Sequence, residues 1–84
     1  MKAIFNQGEA RELRAFVEQG GLLIRIPNNH KHQAQVLKED GNGCFKTIGV
    51  LGEEVSLKLF ELYCDPTPMG YHLIGLKECI ENFC

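Results

Sequence analysis

The stretch PNNHKHQ, residues 27–33, places two histidines two positions apart, a spacing that can serve metal binding. In an extended segment, His30 and His32 would point to the same side about 7 Å apart, which suits two ligands of one metal ion. A zinc site needs a third and usually a fourth ligand, and no spacing singles one out from His72 or the cysteines. We therefore interpret the histidines as a hydrated pair in a turn after Pro27, and predict no metal and no cofactor.

Nucleic-acid contact is a second chemistry open to this stretch, because basic side chains and amides bind phosphates and base edges. The residues placed for it on or beside the predicted strands are Arg25, Asn28, Asn29, His30, Lys31, His32 and Lys38. Aromatic residues do not interleave with these positions as single-strand binding requires. The net charge of −2 gives no general basic footprint. A small nucleic-acid-binding regulator using the sheet-side basic residues and the 28–33 loop is thus the alternative function.

Catalysis has weaker support from the cysteines and histidines. The cysteines are Cys44, Cys64, Cys79 and Cys84. They form no CxxC pair, and no spacing orders a cysteine–histidine pair for nucleophilic attack. The chain also lacks GxSxG, HExxH and a phosphate-cradling glycine loop. We predict small buried or half-buried thiols in a reducing compartment and a protein that is not an enzyme.

Protein binding is the function that we predict. Within the predicted helix over 52–65, Val55 and Leu62 belong to an apolar stripe and Leu57 lies almost opposite them. A helix that is apolar on both sides favours contact with a partner, and so does the apolar C-terminus CIENFC. The predicted contact residues are Leu57, Phe60, Tyr63, Ile80 and Phe83. The competing interpretation assigns all of them except Leu57 to the core.

The predicted mechanism is steric, with the protein covering a functional surface of a larger protein or complex. Compact domains of this size without catalytic motifs often serve as inhibitors or adaptors, for example ones encoded by a phage or another mobile element. Fold alone does not carry function, so this is an expectation about class.

The length and composition of the chain fit one small domain spanning residues 1–84. The composition, 44% hydrophobic and 24% charged, is that of a globular protein. A chain this short buries only about 60–65% of its unfolded surface, so a partner or a second copy in a homodimer would add stability. No apolar run approaches the roughly 20 residues of a membrane span, and MKAIFNQGEA is not a secretory signal. We expect a cytoplasmic protein without membrane contact.

The candidate site residues must be positioned by helices and strands, which the hydrophobic periodicity of the sequence predicts. Strands are predicted at 2–5, 22–27, 33–40, 44–51 and 71–76, and helices at 7–19, 52–65 and 77–84. Asn6 and Glu9 form a capping box at the start of the first helix, and DGNG, residues 40–43, predicts a hairpin turn. This order predicts an α+β fold, a mostly antiparallel sheet of about four to five strands with two main helices packed on one face.

The alternation within the strands predicts which side chains face the core. Leu22, Ile24 and Ile26 should face inward, whereas Leu23 and Arg25 should face the other way.

In the hairpin, each strand should likewise present two residues on one face. These pairs are Ala34 with Val36, and Ile48 with Val50.

Overall fold

The computed structural model of the chain describes residues 3–29, 31–63 and 69–84. Its elements are α1 (Gln7–Glu18), β1 (Leu23–Pro27), β2 (Gln35–Glu39), β3 (Phe45–Val50), α2 (Glu53–Leu62), β4 (Tyr71–Gly75) and α3 (Leu76–Phe83). The four strands form one antiparallel sheet in the order β3-β2-β1-β4. The predicted α+β class is confirmed, with three helices where two main ones were expected.

The predicted strand at 2–5 is wrong over its described part, residues 3–5. The backbone N–H groups of Ile4 and Phe5 donate to the carbonyl of Phe83, at 3.0 and 3.3 Å. This segment is therefore attached to the end of α3 and adds no strand to the sheet. An extended apolar run forms a strand only where a neighbouring strand offers a ladder of partners.

Helix α1 begins as predicted. The backbone N–H of Asn6 donates to Glu9 Oε1 at 2.9 Å, and the N–H of Glu9 donates to Asn6 Oδ1 at 2.8 Å. This reciprocal pair satisfies donors that a helix start leaves without partners. The helix is followed by Gly20, which has a φ of 90°, a backbone conformation that glycine adopts without strain.

The hairpin between β2 and β3 is confirmed. Gly41 and Gly43 have φ values of 93° and 83°, which explains the two glycines of DGNG. Asp40 closes the turn, because its N–H donates to the Cys44 carbonyl at 2.9 Å and its Oδ1 accepts from the Asn42 N–H at 2.8 Å. Aspartate side chains favour such local turns.

The main core lies between the three helices and one face of the sheet. Its fully buried large side chains are Leu13, Ile24, Ile26, Val36, Leu51, Val55, Leu59, Leu76 and Cys79. Ile24 and Ile26 face inward as predicted, but Leu22 is 46% exposed. It precedes β1, so the alternation of the strand does not extend to it.

A β-bulge alters the second half of β3. Val36 pairs with Gly49 and Leu37 pairs with Thr47, which leaves Ile48 as an extra residue. Ile48 packs against the core, whereas Val50 is 52% exposed. The prediction that Ile48 and Val50 share a face is therefore wrong.

Candidate protein-interaction surface

The face of the sheet that points away from the helices carries a second apolar group. Leu23 pairs directly with Leu37, and Leu37 with Thr47, and directly paired residues project to the same side. On the other flank, Arg25 pairs with Leu73. We call this surface the outer face. It contains a depression of about 270 Å³ lined by Leu23, Arg25, Leu37, Phe45, Thr47, Tyr71 and Leu73.

Leu37 shows that these side chains pack on each other. It is only 6% exposed, yet it does not belong to the main core cluster, so its neighbours on the outer face bury it. Around it, Phe45 and Leu73 remain 47% and 45% exposed. An antiparallel sheet with one covered face normally carries polar residues on the other. A contiguous apolar group in that position is typical of an interaction site.

Arg25 lies at the centre of the outer face and is held there by neutral groups. Its Nε donates to Gln35 Oε1 at 2.8 Å, and its Nη2 donates to the same oxygen and to Thr47 Oγ1, the latter at 3.4 Å. Its guanidinium carbon lies 5.8 Å from the centroid of the Tyr71 ring, within the range of a cation–π contact. The Arg25 side chain is thus positioned before any partner binds.

The positive charge of Arg25 has no counter-charge in the described part of the chain. The ion pair recorded there joins Lys58 to Glu9, on the helix side of the molecule. Within residues 3–29, 31–63 and 69–84, no acceptor binds Arg25 Nη1. Among the described residues, the outer face therefore combines exposed apolar side chains with a half-buried cation that has no ion-pair partner.

The predicted protein-binding residues lie on the helix side. Leu57 is 46% exposed, as expected for a leucine opposite the apolar stripe of α2. It lies beside Lys31 and His32 in a surface depression. The other predicted contact residues are half-buried and pack against the core: Phe60, Tyr63, Ile80 and Phe83. Their role in binding stays a prediction.

Two of these aromatic residues do meet each other. The rings of Tyr63 and Phe83 lie edge to face, with centroids 6.4 Å apart and planes at 86°. This contact joins the end of α2 to the end of α3 and so has a structural role.

The basic residues on the strands do not converge on one surface. Arg25 belongs to the outer face, whereas Lys38 follows Leu37 and projects to the opposite side. Lys38 pairs with Lys46 across the hairpin, and its alkyl chain lies alongside Gly20 at the end of α1. Of the strand residues predicted to bind nucleic acid, Arg25 therefore lies on one side of the sheet and Lys38 on the other.

The 28–33 loop is a hydrogen-bonded turn in its described part. Asn29 Oδ1 accepts from the Lys31 N–H at 2.9 Å, and the Asn29 carbonyl accepts from the His32 N–H at 3.0 Å. The Asn28 N–H donates to the Gly70 carbonyl at 3.0 Å. His30 lies outside the described residues, and among the described ones no group of three or more His, Cys, Asp or Glu could hold a metal ion.

The described cysteines are free thiols in three different environments. Cys79 is buried and Cys84 is half-buried, as predicted, whereas the prediction is wrong for Cys44, which is exposed beside the hairpin turn. Burial raises the pKa of the Cys79 thiol to about 11, with the nearby Cys84 as a smaller cause. Cys64 lies outside the described residues. Cys79 is therefore an apolar core residue in its protonated state.

Sequence reasoning missed the outer face as a site, although part of the signal was present. The prediction that Leu23 and Arg25 face away from the core is confirmed by the pairing of β1. That prediction did not connect Leu23 and Arg25 with Leu37, Phe45 and Leu73, because these three residues lie on three other strands. Only the strand order brings them together.

Comparison of the chain with protein-family models, with curated proteins and with solved structures gives no significant match. The described helices include none that is long and apolar enough to cross a membrane. The geometry of the outer face is therefore the feature that points to a function.

Proposed function

We propose that the protein is a non-enzymatic domain that binds a larger protein through its outer face. The observation that carries this proposal is Leu37, which is buried to 6% exposure outside the main core by apolar neighbours that are themselves half exposed. Docking of a partner would remove the remaining apolar area from water, at about 25 cal/mol per Å². The protein would act sterically, as an inhibitor or adaptor that covers part of its partner.

The size of the domain is compatible with such a contact. A stable interface buries about 800 Å² on each partner. That area is roughly one seventh of the 5407 Å² that this chain exposes. The outer face would supply the desolvated centre of the contact, and polar residues around it, such as Gln35 and Glu39, would supply the rim.

Charge favours a protein over a nucleic acid as the partner. The outer face carries one arginine, and Glu39, paired with Phe45, places a carboxylate on the same side. Lys38 and Lys46 project to the other side of the sheet. Nucleic-acid affinity depends on neutralising several phosphates at once, which this arrangement does not favour.

Two matched leucine substitutions test the proposal. Leu73 on the outer face and Leu57 on α2 are exposed to almost the same degree, 45% and 46%. Tagged wild-type, Leu73→Asp and Leu57→Asp proteins would be used to capture partners from a nuclease-treated lysate of the source cell, after thermal melting confirms that all three are folded.

A stoichiometric protein partner should be lost with Leu73→Asp, by at least about tenfold, because the variant removes an apolar contact and places a carboxylate beside Arg25, where it competes with the partner for the guanidinium. The same partner should be retained with Leu57→Asp. Loss with Leu57→Asp and retention with Leu73→Asp would overturn the outer face as the binding surface. Capture that disappears with nuclease in the wild type would overturn the choice of a protein partner.

A further inference from the structure

We infer that the outer face recognises a partner segment in which a carboxylate side chain, Asp or Glu, is flanked by apolar side chains. The carboxylate would be bound by the guanidinium of Arg25, and the flanking side chains by the apolar residues around it. This inference rests on the proposed function, because it requires the outer face to be the binding surface. It adds the chemistry of the segment that binds there.

The first support is the positioning of Arg25. Gln35 and Thr47 accept hydrogen bonds from Nε and Nη2, and the Tyr71 ring lies 5.8 Å from the guanidinium carbon. A guanidinium has five N–H donors, two of them on Nη1. In the part of the chain described, Nη1 has no acceptor. A fixed cation with unused donors can bind a carboxylate without losing further side-chain entropy.

The second support is the cost of docking without a counter-charge. Arg25 is already half-buried, and Leu23, Leu37 and Leu73 line the depression around it. An apolar partner that covered this region would remove water from the guanidinium and leave its charge unpaired, which is strongly unfavourable. A partner that supplies a carboxylate at this point replaces the lost water with charge-assisted hydrogen bonds.

The third support is the composition of the surrounding surface. Phe45 and Leu73 are 47% and 45% exposed on either side of the sheet centre, so apolar side chains can bind on both flanks of the carboxylate. Arg25 is the one cation among the described residues that line the depression, and one cation favours a single carboxylate over a chain of phosphates. Apolar anchors around one buried charge also favour a specific register of the bound segment.

The test is a selection from a displayed library of random short peptides, with a pool of random single-stranded RNA selected in parallel. The targets are the wild type, Arg25→Gln, Arg25→Met, Arg25→Glu, Leu73→Asp and Lys46→Gln. Lys46→Gln is the matched control, because it removes one positive charge from an exposed strand residue on the opposite side of the sheet. Thermal melting first establishes that each variant is folded.

We expect peptides enriched on the wild type to carry Asp or Glu between apolar residues. Their Kd should weaken by about 10- to 100-fold on Arg25→Gln and Arg25→Met, and stay unchanged on Lys46→Gln. Arg25→Glu should instead enrich peptides with Lys or Arg at the corresponding position.

Each failure points to a different error. Peptides that need Leu73 but show no acidic preference, or that bind Arg25→Gln as tightly as the wild type, would overturn this inference and leave the proposed function standing. Peptides that bind Leu73→Asp as tightly as the wild type, or the absence of any enriched peptide, would overturn both. Enrichment of RNA that depends on Arg25 would overturn both in favour of a nucleic-acid partner.

Discussion

Glu12, in the middle of α1, accepts a hydrogen bond at 2.7 Å from the backbone N–H of Gly52, the residue that caps the start of α2. Gly52 has no side chain to cap the helix itself. The Glu12 carboxylate therefore fixes the start of α2 against α1 and places negative charge near the positive end of the α2 dipole.

Removing this carboxylate should destabilise the fold. We expect Glu12→Ala to lower the free energy of unfolding by about 1 kcal/mol, the usual cost of losing a helix-capping acceptor. Urea denaturation followed by circular dichroism measures this change. Glu18→Ala, an exposed glutamate at the end of the same helix, is the control and should have little effect. Equal losses in the two variants would contradict a specific role for Glu12.

Stability should fall in acid through Glu9. The hydrogen bond from Lys58, which is 2.6 Å long, is the largest cause holding the pKa of Glu9 below its ordinary value of 4.5, and the bond from Asn6 adds to it. A depressed carboxyl pKa in the folded state contributes stability above pH 4.5 that is lost as the pH falls through the folded pKa.

Lys58→Met removes the main cause of this shift. We expect it to flatten the acid limb of the stability profile and to lower the free energy of unfolding at neutral pH by about 1–2 kcal/mol, because a buried carboxylate loses a donor. Urea unfolding over a pH series provides the measurement. Lys77→Met, at an exposed position on α3, should keep the wild-type profile. An unchanged acid limb in Lys58→Met would show that other groups control it.

Two glycines should respond to alanine in opposite directions. A Cβ at Gly21 would lie 2.7 Å from Val36 Cγ1 and 2.9 Å from the backbone carbonyl oxygen of Phe16. The backbone atom cannot move aside cheaply, so Gly21→Ala should cost about 1–3 kcal/mol. Gly8, in the first turn of α1, meets only Asn6 Oδ1 at 3.4 Å. Gly8→Ala should therefore stabilise the helix by about 0.5–1 kcal/mol. Thermal melting should give a lower Tm for Gly21→Ala and a higher Tm for Gly8→Ala than for the wild type. A loss of stability in both variants would refute the expectation for Gly8→Ala.

Thiol labelling should separate Cys44 from Cys79. Cys44 is exposed, whereas Cys79 is buried with a pKa raised to about 11, so the thiolate that reacts is scarce at neutral pH. We expect Cys79 of the native protein to react with iodoacetamide at least about 100-fold more slowly than Cys44, as read by mass spectrometry of digested protein. In denaturant the two rates should converge. Comparable rates in the native state would mean that Cys79 is accessible.

Local signals in the sequence predicted the local parts of the fold. The capping box of Asn6 and Glu9 and the hairpin turn at 40–43 each depend on residues within four positions of one another, and both are present. Such features are encoded by neighbouring side chains and glycine conformations.

The wrong predictions concern features that depend on contacts between distant parts of the chain. Ile4 and Phe5 look like a strand but bond to Phe83, at the other end of the sequence. Ile48 and Val50 follow the alternation of a strand until the bulge shifts it. Neither feature can be recognised from the local pattern of apolar residues.

Prediction of the candidate site was limited in the same way, by its dependence on contacts between distant residues. The sequence singled out Leu57 correctly as an exposed leucine, since helical periodicity alone places it. The outer face needs the order β3-β2-β1-β4, which brings Leu73 beside Arg25 from almost fifty residues along the chain. Strand order is not readable from one sequence, so this surface appeared only in three dimensions.

The two edge strands of the sheet, β3 and β4, influence whether the protein aggregates at high concentration. The outward-facing backbone groups of an edge strand tend to recruit further strands into aggregates. Lys46 places a charge in β3, and the bulge at Ile48 and Gly49 twists its second half away from regular pairing. Both features disfavour fibre growth from the β3 edge. With this edge protected, the chain can keep an apolar surface available for a partner with less risk of polymerising through β3.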